Sequence, residues 1–207
     1  MEIVRPTKPG IGIYAKSVPA EYKDRHLADE MVEFMDGMAE TWDKENQKMC
    51  YALAHSQVTD STEPRKIFVV HNMFVDTKES ATNTRFPDRR IFNAQVVEIA
   101  EDIKMVKPVR KTVMNEKTGR REIKLVDTEV TAPNELEAKE GCMTWPEKTT
   151  KLVLRPFRIK VAYEIPRGSH GMKKCVEWVE GLKARIFMHE VDHFNGQNIY
   201  YKTPPSS

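Results

Sequence analysis

His189-Glu190-Val191-Asp192-His193 sets two imidazoles four residues apart. On a helix, residues i and i+4 share a face, so both rings can reach one metal ion. Glu190 adjoins the first imidazole and can reach a water on that ion, where a carboxylate acts as general base. The bland alternative is a solvated helix carrying two unrelated histidines, and in a chain with 6 His a chance match is rare. Two imidazoles do not complete a site. A catalytic divalent ion generally takes three protein ligands and keeps one position open. Residues 194–207 contain no Glu, Asp or His, so the third ligand comes from upstream. Cys142, in Glu140-Gly141-Cys142-Met143-Thr144, is the candidate. The competing reading for it, as for Cys50 and Cys175, is a small buried hydrophobe.

These residues need elements to hold them. From Glu180 to His193 the pattern is helical, with Leu182, Ile186, His189 and His193 in register, and Asn195-Gly196 stops it. A second amphipathic helix is expected over 24–46, where Leu27, Met31, Phe34, Met35, Met38 and Trp42 recur at helical spacing. Between the helices lie strand-like segments at 66–75, 91–99 and 152–163. Segments 104–114 and 121–130 read as two arms of a hairpin joined by Asn115–Gly119. Residues 172–178 fit either a last strand or a helix start. Residues 1–20, with their prolines and glycines, read as an extended arm. Strands in the middle with a helix near each end predict an α+β domain.

The chain has 207 residues, 40% apolar and 31% charged, the composition of a globular protein able to bury a core. One domain over 1–207 is expected, with a frayed tail at 200–207. No apolar run approaches the roughly 18 residues of a membrane span. The N-terminus shows no signal or transit pattern. Net charge is +2, which argues neither for nor against nucleic acid. Three cysteines are too few for a disulfide framework and suit a reducing compartment, so a cytoplasmic location is expected, the host cytoplasm if the source is viral.

Glu140-Gly141-Cys142 together with His189-Glu190-Val191-Asp192-His193 resembles peptide deformylase, whose signatures are E-G-C-L-S and Q-H-E-x-D-H. The family's first signature, G-x-G-L-A-A-x-Q, is partly present as Cys50-Tyr51-Ala52-Leu53-Ala54-His55-Ser56-Gln57. Val153-Leu154-Arg155-Pro156, Gly181-Leu182-Lys183-Ala184-Arg185 and Phe194-Asn195-Gly196 match the segments around the other two signatures. The resemblance covers about residues 20–200. It implies antiparallel sheets around a central helix that carries the H-E-x-x-H motif.

The same resemblance implies the chemistry. Cys142, His189 and His193 would hold one divalent ion, iron(II) in the cell and zinc or nickel in purified protein. Glu190 would be general base and then general acid in removing the formyl group from N-formyl-methionyl nascent peptides, with release of formate. The Gln57 side chain and the Met143 backbone N–H would stabilise the oxyanion. Gly141 and Ala52 would lie along the substrate backbone. Tyr51, Leu182 and Ile186 would line the methionine pocket, together with His189.

Several positions depart from the family pattern. Cys50 and Ala52 replace glycines, putting bulk where substrate should pass. His55-Ser56 replaces Ala-Pro, Met143-Thr144 replaces Leu-Ser, and Met188 replaces Gln. The bacterial C-terminal helix extension is not expected. The segment 101–135 is longer than in the family, and its stretch 104–124 carries Lys104, Lys107, Arg110, Lys111, Lys117, Arg120, Arg121 and Lys124. Its bland reading is a solvated hairpin; the sharper one is a ribosome contact. The expected protein is a monomer without membrane partners. Two other readings stay open: another H-E-x-x-H metallohydrolase, and a non-catalytic relative that binds N-terminal methionine peptides.

Overall fold

Ile67-Phe68-Val69-Val70 is buried at every position, which a strand allows only when both faces of its sheet are covered. The computed structural model describes residues 1–6, 8–46, 50–75, 85–114, 116, 118–145, 150–169 and 171–200, with backbone alone for 39–46 and 105–107. In it these residues form β2 (Ile67–Val70), inside an antiparallel sheet with β1 (Ala52–Ala54), β3 (Arg90–Ile99), β8 (Arg158–Pro166) and β9 (Met172–Glu180), in the order β1-β2-β3-β8-β9. The sheet has a helix on each side. Leu53, Ile67, Val69 and Phe92 face α1 (Arg25–Asn46), meeting Met31 and Met35. Ala54, Phe68, Val70, Ile91 and Val161 face α2 (Gly181–Phe194), meeting Ala184, Phe187 and Phe194. Alternate residues of one short strand therefore serve two cores, which explains the continuous apolar run.

Two antiparallel ribbons complete the fold: β4 (Asp102–Met114) with β5 (Arg121–Pro133), and β6 (Leu136–Glu140) with β7 (Lys151–Arg155). The α+β expectation with antiparallel sheets around α2 holds. Several boundaries differ from the sequence reading. The apolar run 66–75 is strand only to Val70, after which Asn72–Phe74 turns in a 3-10 helix. The alternating run 152–163 is two strands, broken at Pro156-Phe157, where β7 leaves its pairing with β6 and β8 takes up pairing with β3 and β9; Pro156 offers no N–H to either ladder. Residues 172–178 are strand, paired with β8 along its whole length. Among the described residues no helix is long and apolar enough to cross a membrane. Of the expected frayed tail, only Tyr200 falls within the described residues; the side chains of Trp42 and Lys117 also fall outside them.

Two local devices fix the ends of the site-bearing helix and the sheet. Asn93 adopts φ 52° at the bulge where the β3–β8 register shifts. Asn tolerates that conformation better than other side-chain-bearing residues. Its amide clamps the N-terminal arm, accepting from Ala20 N at 2.8 Å and donating to Ala20 O at 2.9 Å. Gly196 stops α2 at φ 71°, and a Cβ there would sit 2.9 Å from the Tyr14 carbonyl oxygen. Gly196→Ala is therefore expected to destabilise the fold by about 1–3 kcal/mol, through backbone strain and the clash together. A urea titration of both proteins checks it; equal midpoints would contradict it.

Candidate metal centre

Arg185, His189 and His193 recur every four residues, so α2 turns one stripe of nitrogen-bearing side chains toward the β6–β7 ribbon. The ribbon answers with Glu140 at its end and Cys142 two residues on. The ligand atoms of Cys142, His189 and His193 lie within 4.8 Å of one another. The Cys142 Sγ to His193 Nε2 separation is 3.6 Å. Ligands at about 2.3 Å (sulfur) and 2.1 Å (nitrogen) from one ion, at a tetrahedral angle, lie about 3.6 Å apart. That spacing fits a shared ion.

The imidazoles are oriented for it. His193 Nδ1 donates to the Gln197 carbonyl at 2.9 Å, and His189 Nδ1 lies 3.2 Å from Glu140 Oε2. With both Nδ1 atoms engaged, each Nε2 is left as the free donor atom, the usual second-sphere arrangement around a metal. Glu140 is itself gripped. Arg155 donates to it at 2.6 and 2.9 Å and Arg185 at 2.5 Å. Burial opposes its charge, but His189 and Arg155 outweigh burial and hold its carboxyl down at about 2. Arg155 also meets Asp192 at 2.9 Å. Asp192 thus ties α2 to the β6–β7 ribbon. Burial by itself would raise the Cys142 thiol; His193 and His189 overcome it and hold the thiol well below its ordinary range. The thiolate is the ligating form, and the imidazole protons are those a metal ion displaces.

Two further groups converge here. The Gln57 Oε1 accepts from Ala54 N at 2.8 Å, which settles the amide orientation. Its Nε2 then points to Thr144 Oγ1 at 3.2 Å and Cys142 Sγ at 3.5 Å. Glu190 is 2% exposed, and its Oε2 finds no hydrogen-bond partner among the described residues. Burial pushes its carboxyl above the ordinary range, against the pull of both imidazoles. A buried carboxylate oxygen without a partner is costly, and one beside a thiol and two imidazoles able to hold a metal ion is placed to receive a proton.

The other sequence candidates lie around this centre. Gly141 and Met143 flank Cys142, and the Met143 side chain packs toward the α1 cluster. Ile186 is buried, whereas Leu182, one turn earlier on α2, is 45% exposed. Ala52 is half-buried against the α2 cluster. Tyr51 is exposed and lies edge-on to Phe74, with centroids 5.1 Å apart. Cys50 departs from the expectation of bulk in the cleft: it is buried in the α1 cluster and its thiol donates to Ala52 O at 3.2 Å. Sequence reasoning gave no role to Glu140, Arg155, Arg185 or Thr144. Arg185 could have been found, as it continues the His189/His193 stripe backwards by one turn. It also missed that Ile13, Tyr14 and Trp145 pack with Cys142, with Ile199 and Tyr200 against them.

Comparison with known proteins decides the family. The family model described as polypeptide deformylase matches residues 1–206. The chain belongs to that family. The peptide deformylase of Thermotoga maritima is 41% identical over 69 residues, covering 33% of this chain and 39% of that protein. The peptide deformylase of Thermus thermophilus is 35% identical over 69 residues, covering 33% and 34%. The chain thus matches less than half the length of these curated relatives. Among solved structures, peptide deformylase from Ehrlichia chaffeensis superposes with TM-score 0.59 at 22% identity, covering 96% of this chain and 84% of that one. The Thermotoga maritima peptide deformylase superposes with TM-score 0.55 at 23% identity, covering 95% and 92%. At such identities the likeness concerns the deformylase fold.

Glu140, 3.2 Å from His189 Nδ1, is placed to orient that imidazole. Glu140→Gln is expected to weaken zinc binding by about 10- to 100-fold, measured by chelator competition. It should also lower stability by about 3 kcal/mol or more, because Arg155 and Arg185 lose their buried counter-charge. Unchanged zinc affinity would contradict the assignment.

Proposed function

We propose that the protein is a metal-dependent peptide deformylase that removes the formyl group from N-formyl-methionyl peptides. The observation that carries this reading is the buried, unpartnered Glu190 carboxylate beside three converging ligand atoms and the Gln57 amide. Cys142, His189 and His193 are the proposed ligands, and the thiolate with two imidazoles suits iron(II), with zinc or nickel able to replace it. A divalent ion held there supplies Lewis-acid polarisation of the formyl oxygen and acidifies water.

The protein's own residues do the rest. Glu190 takes a proton from water as its oxygen attacks the formyl carbon. The Gln57 Nε2 and the Met143 backbone N–H donate to the oxyanion that develops on the formyl oxygen. As the carbon–nitrogen bond breaks, Glu190 returns the proton to the leaving amine, and formate departs. A carboxyl held above its ordinary range by burial is suited to both halves of that transfer. Gly141 leaves open backbone beside Cys142: among the described residues, a Cβ there would meet nothing nearer than Thr150 Cγ2 at 3.7 Å. Tyr51, Ala52, Leu182 and Ile186 are proposed to receive the methionine end.

Glu190→Ala should lower formate release from a formyl-Met tripeptide by about 10²–10⁴-fold, and Gln57→Ala by about 10²–10³-fold, both with metal still bound. Wild-type protein that binds metal but releases no formate would overturn the reading in favour of a binding-only relative. Loss of metal in Cys142→Ala separates this ligand set from that of other H-E-x-x-H hydrolases.

The finer partner proposal concerns the β4–β5 ribbon, through which the enzyme, a cytoplasmic monomer, would contact ribosomal RNA near the emerging chain. The ribbon pairs from Asp102↔Pro133 to Met114↔Arg121 and carries Arg110, Lys111, Arg120 and Arg121 near its tip. Cys50, Cys142 and Cys175 carry thiols rather than disulfides, compatible with a reducing compartment. Ribosome sedimentation at low salt should carry the protein down, and Arg110→Glu with Arg121→Glu should abolish this. Failure of the wild type to co-sediment at low salt would dismiss the contact.

A further inference from the structure

His55 occupies the position where the deformylase signature has alanine, outside the proposed catalytic groups. Its place in the fold is nonetheless specific. It opens the 3-10 turn His55–Gln57, whose last residue aims Nε2 at Cys142 and Thr144. The turn is held at several points. Val4 N donates to Gln57 O at 2.8 Å, and Val58 N donates to His55 O at 3.1 Å. Ala54 N holds the Gln57 side-chain oxygen. The remaining tie runs outward: Arg65 N donates to His55 Nδ1 at 2.9 Å. That bond spans ten residues and joins the turn to the residue that opens onto β2, itself paired with the N-terminal arm through Val18↔Arg65. An alanine at this position has no acceptor to offer.

We propose that His55 is a positioning residue that acts through Gln57: its neutral imidazole accepts the Arg65 amide, fixes the turn, and releases it when the ring is protonated. The inference rests on the role proposed above for Gln57. The chemistry of the switch is simple. Neutral imidazole with its proton on Nε2 offers Nδ1 as acceptor, whereas imidazolium presents two donors and cannot accept from an N–H. The charged groups that act on the ring are Arg65, Asp24 and Glu30. Burial favours the neutral ring and Arg65 does so too; Asp24 and Glu30 oppose them and do not prevail. The folded-state value thus lies below the ordinary 6.5, so the turn is held at neutral pH and loosened as pH falls below that value.

The test compares wild type, His55→Asn and His55→Phe, all zinc-loaded. Asn places an oxygen acceptor near the position of Nδ1 and does not titrate; Phe keeps the ring volume and accepts nothing. Formate release should show kcat reduced about tenfold in His55→Phe with KM little changed, the pattern of a lost transition-state interaction. His55→Asn should retain kcat within about twofold at neutral pH and lose less of it on acidification than wild type. In parallel, ¹H–¹⁵N spectra should show the Arg65 amide and the Gln57 side-chain NH₂ of the wild type shifting together with the His55 ring, and staying fixed in His55→Asn. PH-independent Arg65 and Gln57 signals in the wild type, or an unaltered kcat and acid limb in both variants, would overturn the proposal. The spectra report without any turnover, so absence of wild-type activity would sink the deformylase reading while leaving this coupling measurable. Should His55→Phe fail to fold, wild type against His55→Asn still decides it.

Discussion

One buried carboxylate organises this protein. Glu140 accepts from two guanidinium groups and faces the His189 imidazole, on the ribbon that runs directly into Cys142. Isolated, such a charge would be costly to bury, and removing a partner from such a cluster leaves another buried charge uncompensated. Arg155 and Arg185 offset Glu140, and Asp192 offsets the second positive charge through Arg155. The cluster therefore binds α2 to the β6–β7 ribbon, which are the two elements that carry all three proposed metal ligands. Its electrostatics and the geometry of the centre are one arrangement, since a shift of α2 would break the ion pairs and separate the ligands together.

The five-stranded sheet supplies the rigid backing. Strand β1 belongs to both cores, with Leu53 toward α1 and Ala54 toward α2. The turn that follows it delivers Gln57 to the centre. Consequently the group proposed to bind the oxyanion is referenced to the sheet, and the groups proposed to bind the ion are referenced to α2 and the ribbon. Packing of Phe68 against Phe187 and Phe194, with centroids 5.6 and 6.2 Å apart, locks one frame to the other. The N-terminal arm closes the remaining side, where Tyr14 and Trp145 cover Cys142 and limit water around the thiolate.

Much of this was legible in the sequence because it depends on local periodicity. Both helices, the long hairpin and the two-histidine stripe follow from spacing of three, four or two residues. Residues 152–163 misled because apolar residues recur on both sides of Pro156-Phe157 although their phase slips there and the hydrogen-bonded ladder ends. The 66–75 run misled because apolarity outlasts the strand by one 3-10 turn. The centre itself was half legible. Types such as Cys, His and Glu announce ligands and bases, but partners separated by 45 residues, as Glu140 and Arg185 are, leave no periodic trace. The effect of Cys50 was likewise hidden, because a substitution pattern gives no sign of which way a side chain points.

If Cys142, His189 and His193 share one ion, its coordination shell must carry one sulfur. X-ray absorption at the zinc edge of zinc-loaded protein tests it most directly. The expected shell holds one sulfur at about 2.3 Å and two imidazole nitrogens at about 2.0–2.1 Å, with a remaining light-atom position. The sulfur shell should vanish in Cys142→Ser. A zinc environment without sulfur in the unaltered protein, or one with a second sulfur, would contradict it.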